Sequence, residues 1–262
     1  MKKRKFYHAF YLSFFSRSLY RDVASVWRGI GFTYLFILQA ICLVFIILKL
    51  NFFLSEFIET KAPEIVKQIP PITIDNGTAY TEENRPYFIF DPDDKNKTLL
   101  AVIDTTGEYT SLKEAESIVL VTQDEIITQN SKYETRSFSF QAFDDLDIDN
   151  QAINDFLQLV KQYFAIAIFP FALIGLYLSR IIQVLIYGVI GVIIAQIAQI
   201  QLNYAIALRL ASVAITPVLL LEAILSVIVS SLPPTWGFIG LLLVLYYLYF
   251  AVKANAGNSI RK

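Results

Sequence analysis

From Tyr163 to Val252 the chain runs 90 residues with only three charges, Arg180, Arg209 and Glu222. A membrane-spanning helix takes about 20 predominantly apolar residues. Ninety such residues therefore hold about four spans and have few stable homes outside a bilayer. Three cuts suggest themselves. They are a tight turn at Ser179–Arg180, a polar break from Gln199 to Asn203, and the helix breaker Pro233-Pro234. Spans two to five then cover about 160–179, 181–202, 205–231 and 235–252. Trp236 and the group Tyr246, Tyr247 and Tyr249 suit interfacial aromatic belts.

A further span lies upstream. Gly29 to Leu48 is 20 residues without a charge, bracketed by Arg28 and Lys49. No small-residue cleavage site follows, so it reads as an uncleaved signal anchor. The rest of the chain is polar, and its charge is separated. Residues 51–157 hold 21 acidic and 8 basic residues, a net charge of −13. Residues 1–28 hold seven basic residues against Asp22, a net of +6. Only 17% of the chain is charged, against about 25% for a soluble domain. This excludes a soluble enzyme, a disordered chain and a nucleic-acid binder. Basic flanks stay in the cytoplasm, which puts residues 51–157 outside. Five spans leave the tail, with Lys253, Arg261 and Lys262, outside as well, against the same rule. Four or six spans would place it inside.

The N-terminal flank holds more than topogenic charge. Phe6, Phe10 and Phe14, and Tyr7, Tyr11 and Phe15, repeat at i, i+4, and Leu19, Val23 and Trp27 continue the pattern. An aromatic and basic helix of this kind lies in the headgroup plane. Lys2, Lys3, Arg4, Lys5, Arg17, Arg21 and Arg28, with Trp27, are the candidates for contact with anionic lipid, at about 1 kcal/mol per cation. Topogenic charge alone is the plainer alternative.

The polar segment reads as one small α+β domain on two helical stalks, Ser55–Gln68 and Asn150–Lys161. Short runs at Ile72–Ile74, Tyr87–Phe90, Leu99–Ile103, Ser117–Val121, Glu125–Thr128 and Glu134–Phe140 predict strands. Asn76-Gly77 and Thr106-Gly107 mark turns. Its chemistry is sparse. Asp104-Thr105-Thr106-Gly107 differs from the aspartic-protease Asp-Thr-Gly and lacks a second such loop, so it reads as a turn. Asp145, Asp147 and Asp149 have calcium-loop spacing, but Asn150 and Phe156 stand where Gly and Glu are needed, which leaves a solvated acidic loop. Cys42 and His8 are each the only residue of their kind. A disulfide or a Cys/His zinc site within the chain is impossible. No catalytic, cofactor or metal residues are assigned.

The ionisable and polar residues of the spans are the remaining candidates: Glu222, Arg209, Arg180, Gln196, Gln199, Asn203 and Pro217. A charge at the bilayer centre costs at least about 2.5 kcal/mol, so Glu222 is expected to be protonated, paired or wet. Arg209 stands 13 residues earlier, about 19 Å along one helix, out of reach. Gln196, Gln199 and Asn203 form an i, i+3, i+7 stripe that serves as interhelical glue and offers Glu222 a partner. Pro217 is expected to kink its span, with Thr216 or Ser212 near the freed carbonyl.

Several segments together carry a resemblance: SFFSRSLYRDVASVWRGIGFTYLF, PPITIDNGTAY, RPYFIFD, LLAVIDTTGEY, SIVLVTQDEI and RLASVAITPVLL. In these the chain resembles the bacterial inner-membrane family of unknown function that includes the maltodextrin-utilisation membrane protein, and is distantly similar to the five-span Yip family. The resemblance implies about five spans and no established catalytic residues.

The expected architecture is a membrane α-helical bundle of about five transmembrane helices with an inserted small α+β extracytoplasmic domain. Its parts are a cytoplasmic basic segment (1–28), helix 1 (29–50), the outside domain (51–157), helices 2–5 (158–252) and a short tail (253–262). The expected function is non-enzymatic: an accessory or scaffold subunit of a transport or envelope-lipid complex, whose partners are membrane lipids and other inner-membrane proteins. Two alternatives stand beside it, a small transporter or channel using Glu222 and a sensor whose outside domain binds a ligand.

Overall fold

The computed structural model describes residues 6–131, 134–229 and 231–256. In chain order its helices are α1 (Ala9–Leu12), α2 (Arg17–Ser25), α3 (Phe32–Thr60), α4 (Ala62–Val66), α5 (Leu112–Ala115), α6 (Asn150–Ile197), α7 (Tyr204–Ala214), α8 (Thr216–Ile228) and α9 (Trp236–Lys253). The strands are β1 (Ile72–Asp75), β2 (Thr78–Thr81), β3 (Tyr87–Phe90), β4 (Leu99–Ile103), β5 (Val119–Val121), β6 (Glu125–Ser131), β7 (Glu134–Ser139) and β8 (Asp145–Ile148). The chain divides into a helical unit, Met1–Leu50 with Ala165–Lys262, and a mixed unit, Asn51–Phe164. The division falls inside α3 and α6.

Four helical segments are long and apolar enough to cross a membrane: Phe32–Thr60, Asn150–Ile197, Tyr204–Ile228 and Trp236–Lys253. This corrects the expected count of about five. The turn expected at Ser179–Arg180 does not form. Instead α6 continues through both residues for 48 residues, about 72 Å at 1.5 Å per residue. Neither Ser179 nor Arg180 breaks a helix by itself. The cut rested on charge alone, and the arginine's charge is met by a partner described below. Pro170 also lies inside α6. The first span starts three residues later than expected, because Gly29 and Gly31 take φ +75° and +87°. At Gly31 a Cβ would lie 2.8 Å from the Cβ of Ser212, so α7 approaches a bare backbone there.

The N-terminal segment is broken rather than one helix over 6–28. A 3₁₀ turn (Phe6–His8) and α1 come first, and Ser16 then caps α2 by accepting from the Leu19 N–H at 3.3 Å. The apolar face of α2 lies in the main core. Leu19, Tyr20, Val23 and Ala24 are buried together with residues of α7 and α9. Phe6, Tyr7, Tyr11 and Phe15 remain exposed. Lys2, Lys3, Arg4 and Lys5 lie outside the described residues.

In the mixed unit, β2-β1-β8 form one sheet and β3-β4-β5-β6-β7 a second, antiparallel except for β4–β5. Asn76-Gly77 joins β1 to β2 with both residues at positive φ, the two-residue hairpin that this dipeptide favours. Ile72, Ile74, Ala79, Ile89, Ile103 and Phe140 share one core, while Leu112 and Ala115 of α5 bury Val102 and Leu120. The acidic run is a strand rather than the expected loop. Asp145 and Asp147 lie in β8, Asp147 accepts from the Thr73 hydroxyl at 2.8 Å, and Asp149 accepts from the Ala152 N–H at 2.7 Å to cap α6.

Asp104 is buried at the end of β4. Its Oδ1 accepts from the Thr106 N–H (2.8 Å) and hydroxyl (2.6 Å), and its Oδ2 accepts from the Tyr109 N–H (2.6 Å). It is a turn organiser, as its sequence suggests. Burial acts to raise its pKa, but these hydrogen bonds outweigh burial and hold the carboxyl below the usual carboxylate range. A depressed folded pKa contributes stability that is complete above the unfolded value of about 3.9 and lost as pH falls through the folded one. Asp104→Asn should therefore destabilise the β4–α5 turn by about 1–3 kcal/mol at neutral pH and flatten its acid sensitivity. Hydrogen exchange over residues 104–121 of the full chain at pH 7 and pH 3.5 measures both effects. Equal pH dependence in wild type and variant would refute the role given to Asp104.

Candidate functional site

The intramembrane polar groups fall into one pair and several anchors. Arg180 sits on the face of α6 that also carries Val184, Gly188, Gly191 and Ala195, all buried. That face turns into the bundle, where Gly191 meets Ala207 and Leu248. The Arg180 Nη2 donates to Glu222 Oε2 of α8 at 2.8 Å, and its Nη1 donates to Gln183 Oε1 at 2.8 Å. The side chains are 17% and 31% exposed. Glu222 thus has a charged partner, and that partner is Arg180 rather than the Gln196 stripe.

That stripe does not exist as such. α6 ends at Ile197, and Gln199 takes φ +57°. The Ile200 N–H donates to Ala195 O and the Gln199 N–H to Gln196 O, which is a Schellman cap. Asn203 is the N-cap of α7, its side chain accepting from the Ile206 N–H at 2.9 Å. Gln196, Gln199 and Asn203 therefore build the α6–α7 connection. Pro217 stands in the first turn of α8, just past the break at Ile215, where its missing N–H does least harm. Ser212 donates to Leu208 O (2.9 Å), and the Thr216 hydroxyl pairs with that of Tyr34 (2.8 Å), joining α8 to α3.

Three cations, Arg209, Arg21 and Lys49, donate to main-chain carbonyls of other segments. Arg209 donates to the carbonyl of Trp27. Its Nε is buried without a partner. Arg21 donates to Ala254 O at 2.7 Å, past the end of α9, and Arg17 lies 5.7 Å from the Phe250 ring. Lys49 donates to Ser226 O (2.5 Å) and Val229 O (2.6 Å), a favourable place for a cation at a helix C-terminus. Trp27 packs edge-on to Tyr34, with centroids 5.4 Å apart. Arg28 is exposed. Sequence reasoning did not find Lys49, Gln183 or Tyr34. Lys49 could have been suspected, as the charge that closes the first apolar run. Among the described residues no group of three or more His, Cys, Asp or Glu side chains could hold a metal ion.

The pair predicts a specific stability pattern. Glu222→Leu leaves a guanidinium in the bundle without its carboxylate; breaking a fully buried pair costs about 3–5 kcal/mol, and the loss here should be smaller because Glu222 is partly exposed. Glu222→Gln keeps an acceptor and should cost less. Arg180→Leu/Glu222→Leu should recover most of the loss, and thermal unfolding in detergent of the wild type, Arg180→Leu, Glu222→Leu and the double variant will read this as a coupling free energy. Additive losses would show that the two side chains act independently.

A family model described as a protein of unknown function (DUF1189) matches residues 7–252. No curated protein and no solved structure matches the chain.

Proposed function

The chain belongs to the DUF1189 family of proteins of unknown function, and we propose that it is a non-enzymatic, multi-pass protein of the bacterial inner membrane that serves as an accessory or scaffold subunit of a transport or envelope-lipid complex. The observation that carries this is the state of Glu222. A shuttle needs a carboxylate that can exchange its proton with an aqueous path. Here the single acidic side chain of the apolar region is held by Arg180, which is itself held by Gln183. The pair fastens α6 to α8, a structural task. The resemblance carried by the chain's motifs to the family that includes a maltodextrin-utilisation membrane protein is what suggests a transport setting. The transporter alternative keeps one supporting feature, the partial exposure of Glu222.

The helical unit also supports a reading of the topology. Four spans put both ends of the helical unit on one face of the membrane. In support, α2 meets the end of α9 through Arg21 and Ala254 O, and Asn255 donates to Tyr20 O at 3.5 Å. With the seven basic residues of the N-terminal flank inside, the tail is cytoplasmic too and its basic residues obey the rule. Residues 51–157 then lie outside. Membrane lipids and other inner-membrane proteins are the partners.

Reporter fusions should give a cytoplasmic signal at the N-terminus and after Ala256, and an external signal after Asp75. An external signal after Ala256 would overturn the four-span topology. Complementation of a deletion strain tests the role itself. Glu222→Gln should remain active in proportion to its folded amount. A fully folded Glu222→Gln protein with no activity would instead favour proton-coupled transport.

A further inference from the structure

The mixed unit has four sheet edges, and three are closed. On β2 the Ala79 N–H donates to Gln123 O at 2.7 Å. At β3 the Gln68 side chain bridges the Phe90 N–H (2.9 Å) and C=O (3.0 Å), beside a register shift at Ile89/Phe90. β8 carries Asp145 and Asp147. Covering loops, bulges and charges of this kind keep an edge from recruiting strands.

The fourth edge, β7, has no loop or side chain bridging its outward main-chain groups among the described residues; its two charges, Glu134 and Arg136, pair with each other, and the one register shift of its ladder lies at the hairpin end, at Gln129/Ser131. All six residues are exposed. The main-chain direction of each can be worked out. Gln129 donates to Ile118 O and Thr122 donates to Glu125 O, so the odd residues of β6 turn toward β5. Bonds alternate along an antiparallel ladder. Ile126 and Thr128 therefore exchange bonds with Phe138 and Arg136, their partners in register. This leaves the N–H and C=O groups of Thr135 and Ser137 pointing away from the sheet. Among the described residues nothing pairs with them.

We propose that β7 pairs antiparallel with β7 of a second copy of this chain, about a two-fold axis at Ser137. In that register Ser137 faces its own copy, Thr135 faces Ser139, and Arg136 faces Phe138. The odd residues supply main-chain bonds across the axis. Phe138, 58% exposed, is covered by the guanidinium of Arg136 from the copy, a favourable cation–aromatic contact. Arg136 keeps Glu134 at 3.1 Å on its own strand, and no like charges stand directly opposite. Charge selects this edge again. Residues 125–139 carry Glu125, Lys132, Glu134 and Arg136, a net of zero, inside a segment whose net charge is −13. Two such segments repel least where each is neutral, and more distant charges are screened beyond about 8–10 Å. The pairing does not depend on the accessory role.

Cross-linking of the full chain in intact membranes tests it. In a Cys42→Ala background, Ser137→Cys with a short bis-maleimide should give a covalent species of twice the chain mass. Thr135→Pro removes an outward N–H, which an edge strand tolerates, and should cut the yield about tenfold. Arg136→Asp leaves the main chain intact and should also lower it, which keeps the test informative if the proline variant is poorly folded. Tyr80→Cys on β2 is the control and should give little dimer. Three results would overturn the proposal: equal yield at Tyr80, yield unchanged by both β7 variants, or an adduct whose mass is not twice that of this chain, which would mean a foreign strand occupies the edge.

Discussion

A charge in hydrocarbon must be neutralised, and in this chain the contact between Arg180 and Glu222 does so for both of the residues it joins. Each alone would cost a few kcal/mol at a span centre. Together, with Gln183 taking a second guanidinium hydrogen, they allow α6 to pass through the apolar region without a break. That continuity sets the number of spans. It also fixes the helix pairings, because α6 is held to α8 at this point while Leu173 packs with Leu43 and Ile47 of α3. Small residues complete the bundle: Gly191 sits against Ala207 and Leu248.

The same logic explains what could be read in advance. Helices and strands announced by continuous local signals were legible. The β3 and β4 strands lie where their apolar runs stand, Asn76-Gly77 is the hairpin its residue types demand, and α9 begins just past Pro233-Pro234. Signals that depend on a distant partner were not. Arg180 resembles a loop residue until Glu222, 42 positions away, supplies its counter-charge. Gln196, Gln199 and Asn203 have helical spacing, and only the left-handed backbone at Gln199 reveals that two of them cap helices or turns instead. β8 is acidic and short, with nothing local to distinguish it from a loop. It becomes a strand because β1 pairs with it.

The N-terminal segment shows how one pattern can serve two surfaces. An aromatic and basic helix before a span has the composition of a lipid-facing element. In α2 the apolar half is instead committed to α7 and α9, and Tyr20 is closed in, donating to Ser13 O at 2.7 Å. The residues left exposed are Phe6, Tyr7, Tyr11 and Phe15, on the broken part ahead of α2. The sequence period could show that a face is apolar. It could not show which apolar surroundings that face would choose.

The anchoring cations share a feature that bears on what the helical unit is built to do. Arg21 and Lys49 donate to carbonyls at or just beyond helix C-termini, and Arg209 donates to the carbonyl of Trp27 in the bend before α3. Such carbonyls have no partner within their own helix. A bare carbonyl costs several kcal/mol wherever hydrocarbon keeps water away, and a cation removes that cost. A transporter would be expected to keep ionisable groups facing a wet path, free to change partners. Here cations close helix ends and the one intramembrane acid closes a cation. Every such bond adds to the rigidity of the helical unit, which is the property the proposed scaffold role requires and a transport cycle would have to overcome.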